Sequence, residues 1–141
     1  KRNFNSYKNA TLFKPNFKEL ITGLNIDIDK KDFNSVFNAA RLLHDQGAFE
    51  LVLITLSELG MLISDGKNYY VVPAEVRDVA DVSGAGDTVI ATAALGFLSG
   101  LSPKQTAVLA NLAGGIVCEK PGVFPVEREL LLKENIILPE D

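Results

Sequence analysis

The chain has 141 residues, 47% of them hydrophobic and 23% charged, with a formal net charge of −4. That length suits one ordinary domain and that composition is globular, which excludes intrinsic disorder as the main description. The basic residues are scattered and outnumbered, so a nucleic-acid carpet binder is excluded as well.

The opening segment, Lys-Arg-Asn-Phe-Asn-Ser-Tyr, has charge but no apolar core and no small-residue cleavage pattern, unlike a secretory signal. Because position 1 is Lys rather than Met, a piece of a longer protein is expected. Ala10 to Lys14 reads as a short extended run closed by Pro15, which pushes Lys14 toward β geometry. Asn16 can cap a short helix through Gly23, with Glu19 three positions on as a capping-box partner. A longer helix follows from Asp32, with Phe33, Val36, Phe37, Ala40 and Leu43 at helical period and Gly47 as its stop. His44, near that end, is expected to meet the helix dipole.

Phe49 to Thr55 is a nearly continuous β-favouring run, as in a strand buried on both faces of a parallel sheet. Gly60 to Ser64 and Tyr69 to Val72 read as further strands, turning at Asp65-Gly66. Val76 to Val79 is a weaker strand. Two long helices come next, Ala85 to Ser99 ending at Gly100, and Pro103 to Glu119. Thr88 to Leu98, the longest apolar stretch, is about half of a bilayer span, so no membrane partner is expected. Gly114-Gly115 lowers helix propensity, which predicts close approach of another helix or a ligand there. Cys118 reads as a core residue. As the one cysteine it fits a reducing compartment such as the cytoplasm. A short helix covers Glu127 to Lys133. No linker-like stretch divides the chain, and the element order suggests an α/β layered domain with a partly parallel sheet.

One segment asks for a chemical explanation: Asp81-Val-Ser-Gly84-Ala-Gly86-Asp87-Thr88. Glycines at a strand-to-helix junction let backbone amides approach a ligand, and the following helix brings its positive end to the same place. An anion cradle beside the carboxylate of Asp87 suits phosphoryl transfer, with the carboxylate taking a proton from an attacking hydroxyl. On spacing alone a tight turn with Asp87 complementing the dipole serves equally well. A P-loop is excluded because Gly-x-x-x-x-Gly-Lys-Ser/Thr does not occur. A dinucleotide-binding oxidoreductase is disfavoured: Val89 stands at the third glycine position and no acidic residue ends a strand about 20 residues on. Asn111, among Val108, Leu109, Ala110 and Leu112, is either satisfied by backbone or faces a ligand.

Asp81 to Thr88 resembles the C-terminal signature of the ribokinase-like (pfkB) carbohydrate kinases, of the form Asp-Thr-x-Gly-Ala-Gly-Asp. Lys14-Pro15-Asn16-Phe-Lys-Glu19 resembles the family's Asn-x-x-Glu motif, and Ile54-Thr55-Leu56 with Gly60 its nucleotide strand and turn. Asn111 to Gly122 resembles its late helix and turn. Ser57 stands where the strand motif usually has Gly, and Val89 where many members have Phe. Gly-Ala-Gly-Asp-Thr-Val-Ile-Ala-Thr and the opening Ala-Thr-Leu-Phe-Lys-Pro-Asn look most like the heptose-7-phosphate kinase branch, the kinase domain of bifunctional ADP-heptose synthase in bacterial lipopolysaccharide synthesis.

The resemblance implies a three-layer ribokinase-like (Rossmann-like) α/β sheet with helices on both faces. It implies that residues 1–141 are the C-terminal, nucleotide-binding portion, without the N-terminal half that supplies sugar contacts and a lid. It implies an ATP-dependent sugar kinase using Mg²⁺, with a monovalent cation such as K⁺. Asp87 would be the base, and the amides of Gly84, Ala85 and Gly86 the anion hole. Asn16 and Glu19 would act on Mg²⁺ through water, Thr55 and Gly60 would border phosphates and ribose, and Asn111 the adenine. Asp81 would sit near the cation. The expected partner is a sugar or sugar phosphate, and the fragment is expected to self-associate through exposed apolar surface and to turn over little sugar. The alternatives are a non-catalytic nucleotide-binding module and a pfkB kinase for another sugar or a nucleoside.

Overall fold

The computed structural model describes residues 4–75, 77–134 and 136–140. Its internal contacts divide the chain into two units, at Pro73 and Ala74, although no linker-like composition marks that boundary.

In the first unit a 3-10 turn at Phe4–Ser6 precedes β1 (Leu12–Phe13), α1 (Phe17–Leu24) and α2 (Phe33–Gly47). The strands β2 (Leu51–Thr55), β3 (Met61–Ser64) and β4 (Tyr69–Val72) follow, with a second 3-10 turn at Ser57–Leu59. The sheet order is β1-β2-β3-β4. β1 runs parallel to β2, with Leu12 opposite Leu51, while β3 and β4 continue antiparallel, so the sheet is partly parallel as the sequence suggests. Leu20 of α1 and Val36, Ala40 and Leu43 of α2 bury against Val52, Ile54 and Leu62 in one cluster. Leu51, Leu53 and Ile63, at the alternate positions, are buried too, which explains the uninterrupted apolar run of β2.

The left-handed residue that closes α2 is Ala48 (φ 51°), not Gly47. Gly47 is required for another reason: a Cβ there would lie 2.2 Å from the Phe49 ring. His44 lies in the last turn of α2, as expected, and its ring also meets the backbone that follows. Its Nδ1 pairs with the Phe49 carbonyl at 2.8 Å, because the chain doubles back immediately after the helix, and its Nε2 is buried without a partner.

The second unit holds α3 (Ala85–Leu98), α4 (Pro103–Cys118) and α5 (Arg128–Lys133). The weak strand expected at Val76 to Val79 does not form over 77–79, and Val76 lies outside the described residues. The backbone is satisfied differently: Ala80 and Asp81 donate their N–H groups to the Cys118 carbonyl, at 2.8 and 3.1 Å. Asp81 therefore sits at the end of α4 rather than at a strand end. Ser102 and Gln105 cap α4 reciprocally, with Pro103 in its first turn. α3 and α4 pack closely through small residues, and a Cβ at Gly114 would fall 2.7 Å from Val89 Cγ2. Gly114 marks helix contact, as the pair's cost in propensity suggests, whereas Gly115 meets the side chain of Arg77. Leu95 and Leu98 of α3 stay exposed. Among the described residues no helix is long and apolar enough to cross a membrane.

Candidate active site

Gly84 adopts φ 80°, ψ −9° and caps α3 without any side-chain hydrogen bond. A left-handed cap suits glycine, and the missing cap side chain leaves the start of a 14-residue helix open to an anion. The three amides expected to line an anion hole differ in use. Ala85 N–H already donates to Val82 O at 3.2 Å, and Asp87 N–H to Gly84 O at 3.1 Å. No intramolecular acceptor of Gly84 N–H or of Gly86 N–H occurs among the described residues. Asp87 lies in the first turn with its carboxylate side chain exposed. Asp81 braces this turn: its Oδ1 accepts from Ser83 N–H at 2.9 Å and its Oδ2 from Gly122 N–H at 3.0 Å. Those bonds, that of Ser83 foremost, hold its carboxyl below the usual range.

Elsewhere in the second unit, Asn111 is half-buried on α4 and engaged in an interaction. Cys118 is half-buried rather than a core residue, because it ends α4. Burial, helped by the charge of Asp81, raises its thiol pKa.

The first unit gathers a second group at the carboxyl ends of the parallel strands β1 and β2. Asn16 pairs with Thr55 in an isolated parallel bridge, and Thr55 N–H donates to Pro15 O at 3.2 Å. Asn16 and Glu19 form the anticipated capping box: Glu19 N–H donates to Asn16 Oδ1 at 2.7 Å, and Asn16 N–H to Glu19 Oε2 at 2.9 Å. Gly60 closes the turn after β2, where its carbonyl accepts Leu56 N–H at 2.7 Å. It does so at φ 88°, ψ −125°, a region open to glycine. Carboxyl ends of parallel strands are where open α/β sheets place ligands. No cluster of three or more His, Cys, Asp or Glu side chains able to hold a metal occurs among the described residues.

The sequence model described as pfkB family carbohydrate kinase matches residues 5–128. The chain belongs to the pfkB family of carbohydrate kinases. This pfkB chain is 48% identical over 120 residues to the bifunctional protein HldE of Paramagnetospirillum magneticum, covering 82% of the chain and 24% of that relative. It spans about a quarter of the length of the curated relatives it matches. Among solved structures it resembles phosphofructokinase-2 from Escherichia coli in complex with potassium, at TM-score 0.80 and 22% identity, covering 92% of this chain and 41% of that one. It also resembles ribokinase from Thermotoga maritima, at TM-score 0.72 and 22% identity, covering 87% and 41%. The fold is that of a ribokinase-like α/β protein.

Both departures from the pfkB pattern now have physical accounts. Ser57 sits at φ 56°, so the usual glycine there meets a left-handed backbone requirement that serine satisfies only with strain. Val89 is buried against Gly114, a packing position. Sequence reasoning missed Arg77. Its side chain, 11% exposed, joins Glu75, Glu119 and Glu134. Together these contacts, Glu134 first, push the guanidinium pKa further up. Its one visible signal was Gly115, where a Cβ would come within 3.0 Å of Arg77 Cδ and Nε.

Proposed function

We propose that this chain is the nucleotide-binding part of a kinase that transfers a phosphoryl group from ATP to a hydroxyl of heptose 7-phosphate. The observation that carries the reading is the open, glycine-capped start of α3 with Asp87 exposed in its first turn. Family membership supplies the reaction class, and the heptose-like motifs around Asp87 and Lys14 supply the acceptor.

The Asp87 carboxylate takes the proton from the acceptor hydroxyl as its oxygen attacks the γ-phosphorus, and the bond from that phosphorus to the β–γ bridging oxygen breaks to release ADP. The N–H groups of Gly84 and Gly86 and the positive end of α3 stabilise charge on the phosphoryl oxygens, with Ala85 shaping the turn. Thr55 and Gly60 border the nucleotide's phosphates and ribose, and Asn111 its adenine. The single carboxylate of Glu19 beside Asn16 fits Mg²⁺, a hard cation that keeps several waters and needs few protein ligands. When bound, Mg²⁺ neutralises phosphate charge. Asp81, anionic and near the end of α4, is the residue that would face a monovalent cation such as K⁺. Exposed Leu95 and Leu98 make self-association of the isolated fragment an expected property.

The test is phosphoryl transfer by the full-length protein from Mg-ATP to heptose 7-phosphate, with fructose 6-phosphate, ribose and adenosine as competing acceptors. Preference for heptose 7-phosphate by kcat/KM supports the reading. Preference for another acceptor keeps the chemistry and removes the heptose assignment.

A further inference from the structure

Arg77 lies outside the motifs that carry the proposed chemistry, yet it holds the segment that leads into them. Its Nη2 meets Glu134 Oε2 at 2.9 Å, its Nη1 meets Glu119 Oε1 at 3.2 Å, and its Nε donates to Glu75 Oε2 at 2.8 Å. Its Cδ and Nε lie over Gly115, where a Cβ would come within 3.0 Å of both and the side chain would have to give way. Glu119 is the C-cap of α4, where a carboxylate opposes the helix dipole unless a cation offsets it. One residue earlier, the Cys118 carbonyl receives the N–H groups of Ala80 and Asp81. Asp81 in turn holds Ser83 N–H and Gly122 N–H, and Ser83 adjoins the Gly84 cap of α3. A continuous set of contacts therefore runs from the guanidinium to the turn that presents Asp87.

We propose that Arg77 is a positioning residue: seated on Gly115 and paired with Glu119, it fixes residues 77–83 on the end of α4 and so sets the Gly84–Asp87 turn. Its catalytic consequence rests on the kinase reading above, whereas its structural consequence does not. Lysine keeps the charge but loses the fork that reaches several carboxylates at once, so Arg77→Lys should act part-way. Gly115→Ala adds helix propensity to α4 while displacing the Arg77 side chain, which separates seating from helix stability.

The experiment uses the full-length protein and two readouts, hydrogen exchange at the amides of Ala80, Asp81 and Ser83, and steady-state kinetics. In Arg77→Met those amides should exchange on the order of tenfold faster than in wild type, while amides of the sheet keep their protection. The kcat should fall roughly 10- to 100-fold with the KM for ATP unchanged, since a small misplacement of catalytic groups costs rate more than binding. Gly115→Ala should reproduce both effects and Arg77→Lys should recover part of each; these two decide the matter if Arg77→Met does not fold. Unchanged exchange at 80–83 overturns the proposal, and so does faster exchange with unchanged kcat in an active enzyme. Faster exchange in a protein whose wild type transfers no phosphoryl group to any acceptor upholds the positioning and overturns the kinase reading instead.

Discussion

Replacing Gly114 with Ala would place a methyl 2.7 Å from Val89 Cγ2, about 1 Å inside the ordinary carbon–carbon separation. Overpacking of that kind costs roughly 1–3 kcal/mol, while the gain in helix propensity returns about 1 kcal/mol. The single variant should therefore lose about 1 kcal/mol. Val89→Ala removes two methyl groups from a residue that is 5% exposed and should lose about 2 kcal/mol through transfer and cavity terms. In the double variant the overlap vanishes, the propensity gain remains, and the added methyl fills part of the cavity. The two changes should then couple favourably by roughly 1–3 kcal/mol. Urea unfolding of the four proteins, compared at constant m, measures this directly. If the single effects add to within about 0.5 kcal/mol, α3 and α4 do not meet at this pair and the account of Val89 as a packing position fails.

Two further outcomes follow from the same geometry. Ser57→Gly relieves a left-handed serine worth about 1–2 kcal/mol but adds about 0.5–1 kcal/mol of backbone entropy loss, so thermal unfolding should show a small net stabilisation. A lowered midpoint would mean that the serine hydroxyl holds the turn. Glu134, whose carboxyl its bond to Arg77 holds below the ordinary range, contributes stability that is complete above about pH 4.3 and lost as the pH falls through its folded value. Unfolding of Glu134→Gln between pH 5 and 3 should accordingly fall less steeply than wild type; parallel slopes would remove Glu134 from the acid limb.

The local elements were legible because each rests on short-range chemistry. Asn16 with Glu19, and Ser102 with Gln105, are capping boxes written three residues apart, and both form. The apolar run of β2 and the Asp65-Gly66 turn placed a hairpin correctly. Residues 77–79 misled for a physical reason: β propensity describes a residue's fit to a sheet surface, and here the following amides bind the end of a helix instead. The glycine motif around Gly84 was legible as a turn with open amides. That Ala85 N–H returns to Val82 O depends on the local backbone path, which residue types do not specify. Arg77 was illegible because its partners Glu119 and Glu134 lie 42 and 57 residues away in sequence.

The central claim is that Asp87 acts as the base in phosphoryl transfer. The most direct measurement compares wild type and Asp87→Asn in the full-length protein, following ADP formation from Mg-ATP with heptose 7-phosphate and ATP binding in parallel. The account predicts a loss in kcat of about 10²–10⁴-fold with ATP affinity retained. Unchanged turnover in Asp87→Asn would contradict it.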